Sequence, residues 1–155
     1  MINELNIGIV GLGTVGSGVI KSLEKNIDYF KNNHNVKFNI NAISASSKNK
    51  TRSFNVENYS WVNNPLDILD KENIDTVIEL IGGEDGLAYE LAINSLKKGM
   101  NFITANKALI SKHGQKLAKL SDTTGNFFGY EASVAGGIPI IKTLKAVSYT
   151  HLRAH

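Results

Sequence analysis

A glycine pattern near the amino terminus constrains the fold more than any other feature of this 155-residue chain. Residues 11–16, Gly-Leu-Gly-Thr-Val-Gly, have the spacing G-x-G-x-x-G. An apolar run precedes this pattern, and a segment with apolar residues at helical spacing follows it directly. Because the three parts stand in this order, we interpret them as the first strand–turn–helix unit of a dinucleotide-binding sheet. A glycine-rich turn that binds nothing is the alternative.

Each of the three glycines has its own predicted role. Gly11 permits a tight turn because it has no Cβ atom. Gly13 lets a pyrophosphate reach the backbone, and Gly16 lets the helix pack closely on the strand. The N–H groups and the positive dipole end of that helix then face the phosphates. We therefore predict cofactor contacts for Gly11, Leu12, Gly13, Thr14, Val15 and Gly16.

The rest of the chain alternates between strand patterns and helix patterns. This alternation predicts an α/β fold with a doubly wound parallel sheet of the Rossmann type. Gly82 and Gly83 follow the fourth predicted strand, where a cofactor lies along such a sheet, so we add them and Ile81, the last residue of that strand, to the predicted cofactor contacts. The predicted strands cover 5–10, 36–45, 60–62, 75–81, 101–104 and 127–132. The predicted helices cover 15–32, 65–72, 85–98 and 108–122, and a further helix starts at Ile140.

Composition argues against several classes of protein. The chain has no cysteine, which excludes disulfides, thiol catalysis and cysteine-based metal sites. Its net charge is only +3 and its basic residues are scattered without interleaved aromatics, so we expect no nucleic-acid partner. We also expect no membrane contact and a cytoplasmic location, because neither a signal peptide nor an apolar run of spanning length is present.

The end of the second predicted strand bears on the choice of cofactor. Sites that prefer NAD place an acidic residue here for the ribose 2′-hydroxyl, whereas a basic residue suits the 2′-phosphate of NADP. Residues 46–52, Ser-Ser-Lys-Asn-Lys-Thr-Arg, contain no carboxylate. This absence favours NADP, although NAD remains open. Ser46, the first residue after the strand, is the predicted contact of the ribose. A solvated basic loop is the alternative interpretation of the lysines.

Four segments resemble the amino-terminal half of the homoserine dehydrogenase family: IGIVGLGTVGSGV, DTVIELIGG, FITANKALIS and YEASVAGGIPIIKTL. The first is generic to Rossmann enzymes, and the other three are specific. The resemblance covers about residues 6–145. It implies NAD(P)-dependent interconversion of homoserine and aspartate 4-semialdehyde, on the route to threonine, methionine and isoleucine. It also implies a homo-oligomer for the full-length enzyme.

The resemblance carries over two further sets of site residues. It places Lys107 beside the nicotinamide and the substrate, where a lysine can polarise a carbonyl or pass a proton. A surface lysine is the alternative. It also implies that the Glu131 carboxylate and the carbonyls of Val134, Gly136 and Ile138 hold a monovalent cation such as sodium, a donor set that suits a hard ion. Glu131 capping the following turn is the alternative there.

The chain departs from the family pattern at its carboxyl end. Residues 1–146 correspond to the cofactor domain, and the substrate domain of the family does not follow. Residues 147–155 do not continue the pattern, so we interpret them as a foreign tail, in which His151 and His155 are not expected to bind metal. We therefore expect residues 1–155 to bind cofactor without turning over homoserine.

Two other functions are compatible with a Rossmann sheet. One is a stand-alone dinucleotide-binding module that senses redox cofactor without chemistry. The other is a different semialdehyde or amino-acid dehydrogenase that shares the same half. Fold alone does not separate these functions. The family-specific segments favour the homoserine dehydrogenase hypothesis, and the reading frame beyond Lys145 would discriminate among the three.

Overall fold

Six parallel strands form one sheet in the part of the chain that the computed structural model describes, residues 2–136 with 138, 140, 141, 143, 144 and 146. The strands are β1 (Asn3–Val10), β2 (Val36–Ser44), β3 (Ser60–Trp61), β4 (Thr76–Glu79), β5 (Asn101–Thr104) and β6 (Phe128–Gly129). The helices are α1 (Thr14–His34), α2 (Leu87–Lys97), α3 (Lys107–Thr124) and α4 (Glu131–Ala135). Two 3-10 helices, Val56–Asn58 and Pro65–Asp70, lie between β2 and β4.

The strand order confirms the predicted doubly wound architecture. Across the sheet the order is β3-β2-β1-β4-β5-β6, and every pair of neighbours is parallel. The chain therefore builds outward from β1 in one direction and then crosses over to build outward from β4 in the other. In such sheets a crevice opens at the carboxyl ends of the two central strands, where the order reverses. The glycine turn lies at this crevice, because it follows β1.

Helices cover both faces of the sheet because side chains alternate along each strand. Ile7 and Ile9 of β1 belong to the same buried cluster as Ile20 of α1. Val10 of β1 belongs to the second buried cluster, which includes Leu91 of α2 and Leu117 of α3. Burial on both faces explains why the central strands have nearly continuous apolar sequences.

The strand predicted over 127–132 is present but shorter. β6 has only two residues, and α4 begins at Glu131. The reason is a tertiary contact: the Ser133 hydroxyl donates a hydrogen bond to the carbonyl oxygen of Thr104 at 2.8 Å, which holds the first turn of α4 on the end of β5. Glu131 therefore lies in the first turn of a helix and not on a strand.

Helices α1 and α3 each start one residue before the predicted position. Val15, the first residue of the predicted helix 15–32, is 57% exposed. It shares this exposure with Gly13 and Thr14, because the start of α1 lies at the open crevice. Lys107, which directly precedes the predicted helix 108–122, is the first residue of α3. The Asn106 side chain caps that helix by accepting a hydrogen bond from the Leu109 N–H at 3.1 Å.

The end of the chain is described only in part. Residues 140, 141, 143, 144 and 146 are helical, in agreement with the predicted start at Ile140. Gly137, Pro139 and Lys145 lie outside the described residues, as does the whole predicted tail, 147–155, with its two histidines. Within the described residues, none of the helices combines the length and the apolar character needed to cross a membrane.

Candidate functional site

The glycine turn is held by close backbone contacts that two of its glycines make possible. Gly11 has φ +101°, and a Cβ atom there would lie 2.6 Å from the carbonyl carbon and oxygen of Leu80. A Cβ atom on Gly16 would lie 1.9 Å from the carbonyl oxygen of Gly11. Both distances are far below van der Waals contact, so the fold itself requires glycine at these two positions.

The middle glycine is different because nothing in the fold occupies the space beside it. A Cβ atom on Gly13 would have no atom of the described chain within 4 Å. Gly13 is the N-cap of α1, and its neighbours Thr14 and Val15 are exposed. The N–H groups of the first helical turn therefore point into open space, where an anionic group can receive them.

A cleft of about 470 Å³ lies beside the glycine turn at the carboxyl ends of β1, β2 and β4. The exposed Ser46 lines it, as does Asp85, whose carboxylate forms an ion pair with Lys112 and contacts the Nε2 atom of His113. The hydrogen bonds from Lys112 and His113 lower the pKa of Asp85. Other lining residues are Val10, Ala45, Asn63, Pro65, Ile81, Gly82, Leu87 and Ala88.

The loop after β2 is tied down by Arg52. Its guanidinium group donates hydrogen bonds to the carbonyl oxygens of Ser47 at 2.6 Å, Lys50 at 3.0 Å and Lys48 at 3.1 Å, and to that of Leu12 at 3.4 Å. The guanidinium carbon lies 5.7 Å from the centre of the Trp61 ring. The Arg52 side chain thus connects the loop to the glycine turn, while residues 46–51 of the loop remain exposed.

The turns after β4 and β5 meet through a buried carboxylate. Glu79 is fully buried and accepts hydrogen bonds from the Ile81 N–H at 2.7 Å and the Thr104 hydroxyl at 2.5 Å. Burial raises the pKa of Glu79, and these hydrogen bonds oppose the rise. The Asn106 side-chain amide donates to the Gly83 carbonyl oxygen at 2.6 Å. The predicted cofactor contacts Ile81 and Gly83 are therefore connected to the turn that carries Lys107.

The predicted cation ligands lie around α4. Glu131 is in its first turn and Gly136, with φ +60°, ends it, while Val134 and Ile138 are both exposed. Glu131 also lines a second cleft of about 530 Å³, together with Thr104 of β5 and Tyr130. Among the described residues there is no group of three or more histidine or acidic side chains that could hold a metal ion.

Sequence reasoning missed the roles of five residues that shape this site: Glu79, Thr104, Asn106, Ser133, and Arg52, which holds the loop after β2. Asn106 had a recognisable signal, since an asparagine three residues before an apolar position at a helix start is a typical N-cap. Glu79 also had one, because a lone carboxylate in an otherwise apolar buried strand needs hydrogen-bond partners. Its partners, however, come from a strand that is distant in the chain.

Comparison with known proteins confirms the resemblance that the four segments indicated. Residues 11–131 match the family model described as the NAD-binding domain of homoserine dehydrogenase. The homoserine dehydrogenase of Helicobacter pylori is 40% identical over 154 residues, and that of Neisseria gonorrhoeae is 34% identical over 144 residues. The matched regions include 98% and 93% of this chain but 35% and 33% of those proteins. The chain thus spans about a third of the relatives that it matches.

Solved structures give the same result. The homoserine dehydrogenase of Thiobacillus denitrificans superposes with a TM-score of 0.82 at 32% identity, covering 96% of this chain and 34% of that one. The enzyme of S. aureus superposes with a TM-score of 0.81 at 35% identity, covering 89% of this chain and 34% of that one. Both similarities therefore concern the part of those enzymes that corresponds to this sheet.

Gly13 and Gly16 should respond differently when each is replaced by valine. Gly13→Val should abolish NADPH binding and change the free energy of unfolding by no more than about 1 kcal/mol, because the added side chain enters open space. Gly16→Val should cost at least about 3 kcal/mol of stability, because its Cβ atom meets the Gly11 carbonyl oxygen. Calorimetric titration and urea unfolding measure the two effects. A Gly13→Val chain with unchanged affinity would contradict the assignment of this turn.

Proposed function

The chain belongs to the homoserine dehydrogenase family, and on this premise we propose that it forms the dinucleotide-binding part of an NAD(P)-dependent oxidoreductase. The proposed reaction interconverts L-homoserine and L-aspartate 4-semialdehyde, and the complete enzyme is a homo-oligomer. The observation that carries the proposal is the open backbone at Gly13, which faces a crevice between the central strands. Family membership argues against a different amino-acid dehydrogenase.

The chain's own residues have separate tasks in this proposal. The backbone from Gly13 into the first turn of α1 binds the pyrophosphate through its N–H groups. Gly82 and Gly83, both exposed, leave room for the cofactor along the end of β4. Lys107 projects from the start of α3 and exchanges a proton with the oxygen of the substrate. The dinucleotide, when bound, supplies or accepts the hydride.

We further propose a preference for NADP. Arg52 brings a positive charge to the loop after β2 and binds the glycine turn through the Leu12 carbonyl. Ser46 lies at the end of β2 without a carboxylate beside it in the loop, so nothing there repels a 2′-phosphate. The acidic residue that lines the cleft, Asp85, is neutralised in part by its ion pair with Lys112.

We also propose that a monovalent cation such as sodium binds near α4. The candidate ligands are the Glu131 carboxylate and the backbone carbonyls of Val134, Gly136 and Ile138. Carbonyl groups at the end of so short a helix have few intrahelical donors, and oxygen ligands of this kind suit a hard cation. The left-handed conformation of Gly136 turns the chain at this point. The ion would stabilise the segment that follows β6, next to the cleft.

The NADP preference predicts the effect of a charge at Ser46. The wild-type chain should bind NADPH at least as tightly as NADH. Ser46→Asp should shift the ratio of the two affinities by about tenfold toward NADH, because a carboxylate repels the 2′-phosphate and accepts a hydrogen bond from a free hydroxyl. Ser46→Asn, of the same size and uncharged, is the matched control. Tight NADH binding with hardly any NADPH binding by the wild-type chain would refute the preference.

The role of Lys107 predicts a loss of turnover. Residues 1–155 alone should bind cofactor but not oxidise homoserine, because hydride transfer needs the substrate held within about 1 Å of its reactive position. In a chain joined after residue 145 to a family-type substrate domain, Lys107→Ala should lower kcat by well over tenfold. Lys119→Ala, at an exposed position on the same helix, should change kcat little. Turnover by the isolated chain would overturn this division of tasks.

The cation proposal predicts a stabilisation that depends on the ion. At equal ionic strength, sodium chloride should raise the melting temperature of the wild-type chain above its value in choline chloride, because a ligand that binds only the folded state stabilises it. Glu131→Gln should remove most of this difference while keeping the side-chain shape. Equal melting temperatures of the wild-type chain in the two salts would argue against the site.

A further inference from the structure

Glu79 is a buried carboxylate whose surroundings are unusual for an ionisable group. It is fully buried at the carboxyl end of β4. Among the described residues, no lysine, arginine or histidine lies within salt-bridge distance of it. A charge in such a place is costly unless hydrogen bonds replace the lost water. The contacts of this side chain therefore need an explanation beyond packing.

Both carboxylate oxygens act as hydrogen-bond acceptors. Oε1 accepts from the Ile81 N–H at 2.7 Å, and Oε2 accepts from the Thr104 hydroxyl at 2.5 Å. The hydroxyl oxygen of Thr104 accepts from the Asn106 N–H at 2.9 Å, so its own proton is available to Glu79. Glu79 and Thr104 lie opposite each other in the β4–β5 ladder, which sets this contact. Both oxygens of this buried group therefore have a hydrogen-bond partner, as a buried polar group requires.

The same hydrogen bonds join two turns that line the proposed cofactor site. The Asn106 side chain donates to the Gly83 carbonyl oxygen at 2.6 Å and accepts from the Leu109 N–H at 3.1 Å. The 81–83 turn after β4 is thus connected to the start of α3, where Lys107 lies. We call these linked residues the Glu79 network: Glu79, Ile81, Gly83, Thr104 and Asn106.

The position of the network in the sheet decides which part of a dinucleotide it affects. A dinucleotide bound as is usual in such sheets would place its pyrophosphate at the glycine turn and its adenosine on the side of β2 and β3. Its nicotinamide would then be on the side of β4 and β5. Glu79 and Thr104 lie at the ends of these two strands, and β1 separates them from β2, although Ile81 of the network lines the same cleft as Ser46. Glu79 itself is buried, so it acts only through the turns that it holds.

We propose that Glu79 is a positioning residue that fixes the 81–83 turn relative to Lys107 and so orders the nicotinamide half of the bound cofactor. This inference rests on the proposed dinucleotide-binding function. Glutamine does not satisfy the same set of contacts. With its oxygen on the Ile81 N–H, its N–H₂ group donates to the Thr104 hydroxyl oxygen, and the Thr104 hydroxyl proton loses the acceptor that Glu79 provides. A buried hydroxyl proton would then be left unpaired, and the contact between the two turns would have to rearrange.

The test compares two ligands that differ only in the nicotinamide half. NADPH and 2′-phospho-ADP-ribose are titrated into the 155-residue chain and into E79Q. We expect E79Q to bind NADPH at least about tenfold more weakly, while its affinity for 2′-phospho-ADP-ribose changes by no more than about twofold. The fluorescence anisotropy of the bound nicotinamide should fall as well, since the ring is less well held.

A second pair of variants separates positioning from a general loss of stability. Thr104→Val removes the hydroxyl that faces Glu79 and keeps the shape, so it should reproduce the selective loss; Thr104→Ser should restore NADPH binding. These two variants also carry the test if E79Q does not fold. Leu117→Ala creates a core cavity far from the network and should destabilise the chain without changing the ratio of the two affinities.

The outcomes distinguish this inference from the proposed function. Binding of both ligands by the wild-type chain, with equal losses or no loss in E79Q and Thr104→Val, would overturn the role of Glu79 and leave the dinucleotide site intact. A wild-type chain that binds neither ligand would overturn the proposed function, and the role of Glu79 with it. A selective loss of NADPH binding that Thr104→Ser does not show supports the inference.

Discussion

The close approach of two backbone segments is the constraint on which the rest of the structure depends. The turn after β1 packs directly on the chain as it leaves β4, with Gly11 against the Leu80 carbonyl group and the Leu80 N–H donating to Val10 at 2.7 Å. This contact joins the two halves of the sheet at the point where the strand order reverses. The crevice, the start of α1 and the path of the 81–83 turn all follow from it.

The two halves of the site are organised by opposite charges. On the side of β2, the guanidinium group of Arg52 donates hydrogen bonds to several backbone carbonyl groups and so holds a loop against the glycine turn. On the side of β5, Glu79 accepts hydrogen bonds from an N–H group and a hydroxyl group, and so joins the turns after β4 and β5. Strand ends leave backbone groups without ladder partners, and a charged side chain satisfies several of them at once. Each half thus has its own local means of holding its shape.

The alternation of apolar segments predicted the sheet and its helices, because period and length distinguish long elements well. It placed the strand at 127–132 correctly but made it too long, because a short segment of this kind fits a strand or a helix, and the contact between Ser133 and Thr104 holds residues from Glu131 onward in a helix. The glycine turn was predicted from a signal that is local in the sequence, whereas Lys107 was predicted from the family resemblance. The partnership of Glu79 with Thr104 could not be found in this way, since it depends on the register between β4 and β5. The cation ligands and the catalytic role of Lys107 stay predictions.

The unequal surroundings of the three glycines bear on how this motif is interpreted in other chains. Close backbone contacts inside the protein require glycine at positions 11 and 16, so a related protein that had lost its ligand would still need both glycines to fold. Gly13 has no internal neighbour, so no steric contact inside the protein requires a small residue there; in the proposed function the bound pyrophosphate does. A Rossmann sequence that retains the outer two glycines but has a larger residue at the middle position would therefore indicate a shared fold and ancestry. A glycine at the middle position would indicate in addition that the turn still binds a dinucleotide.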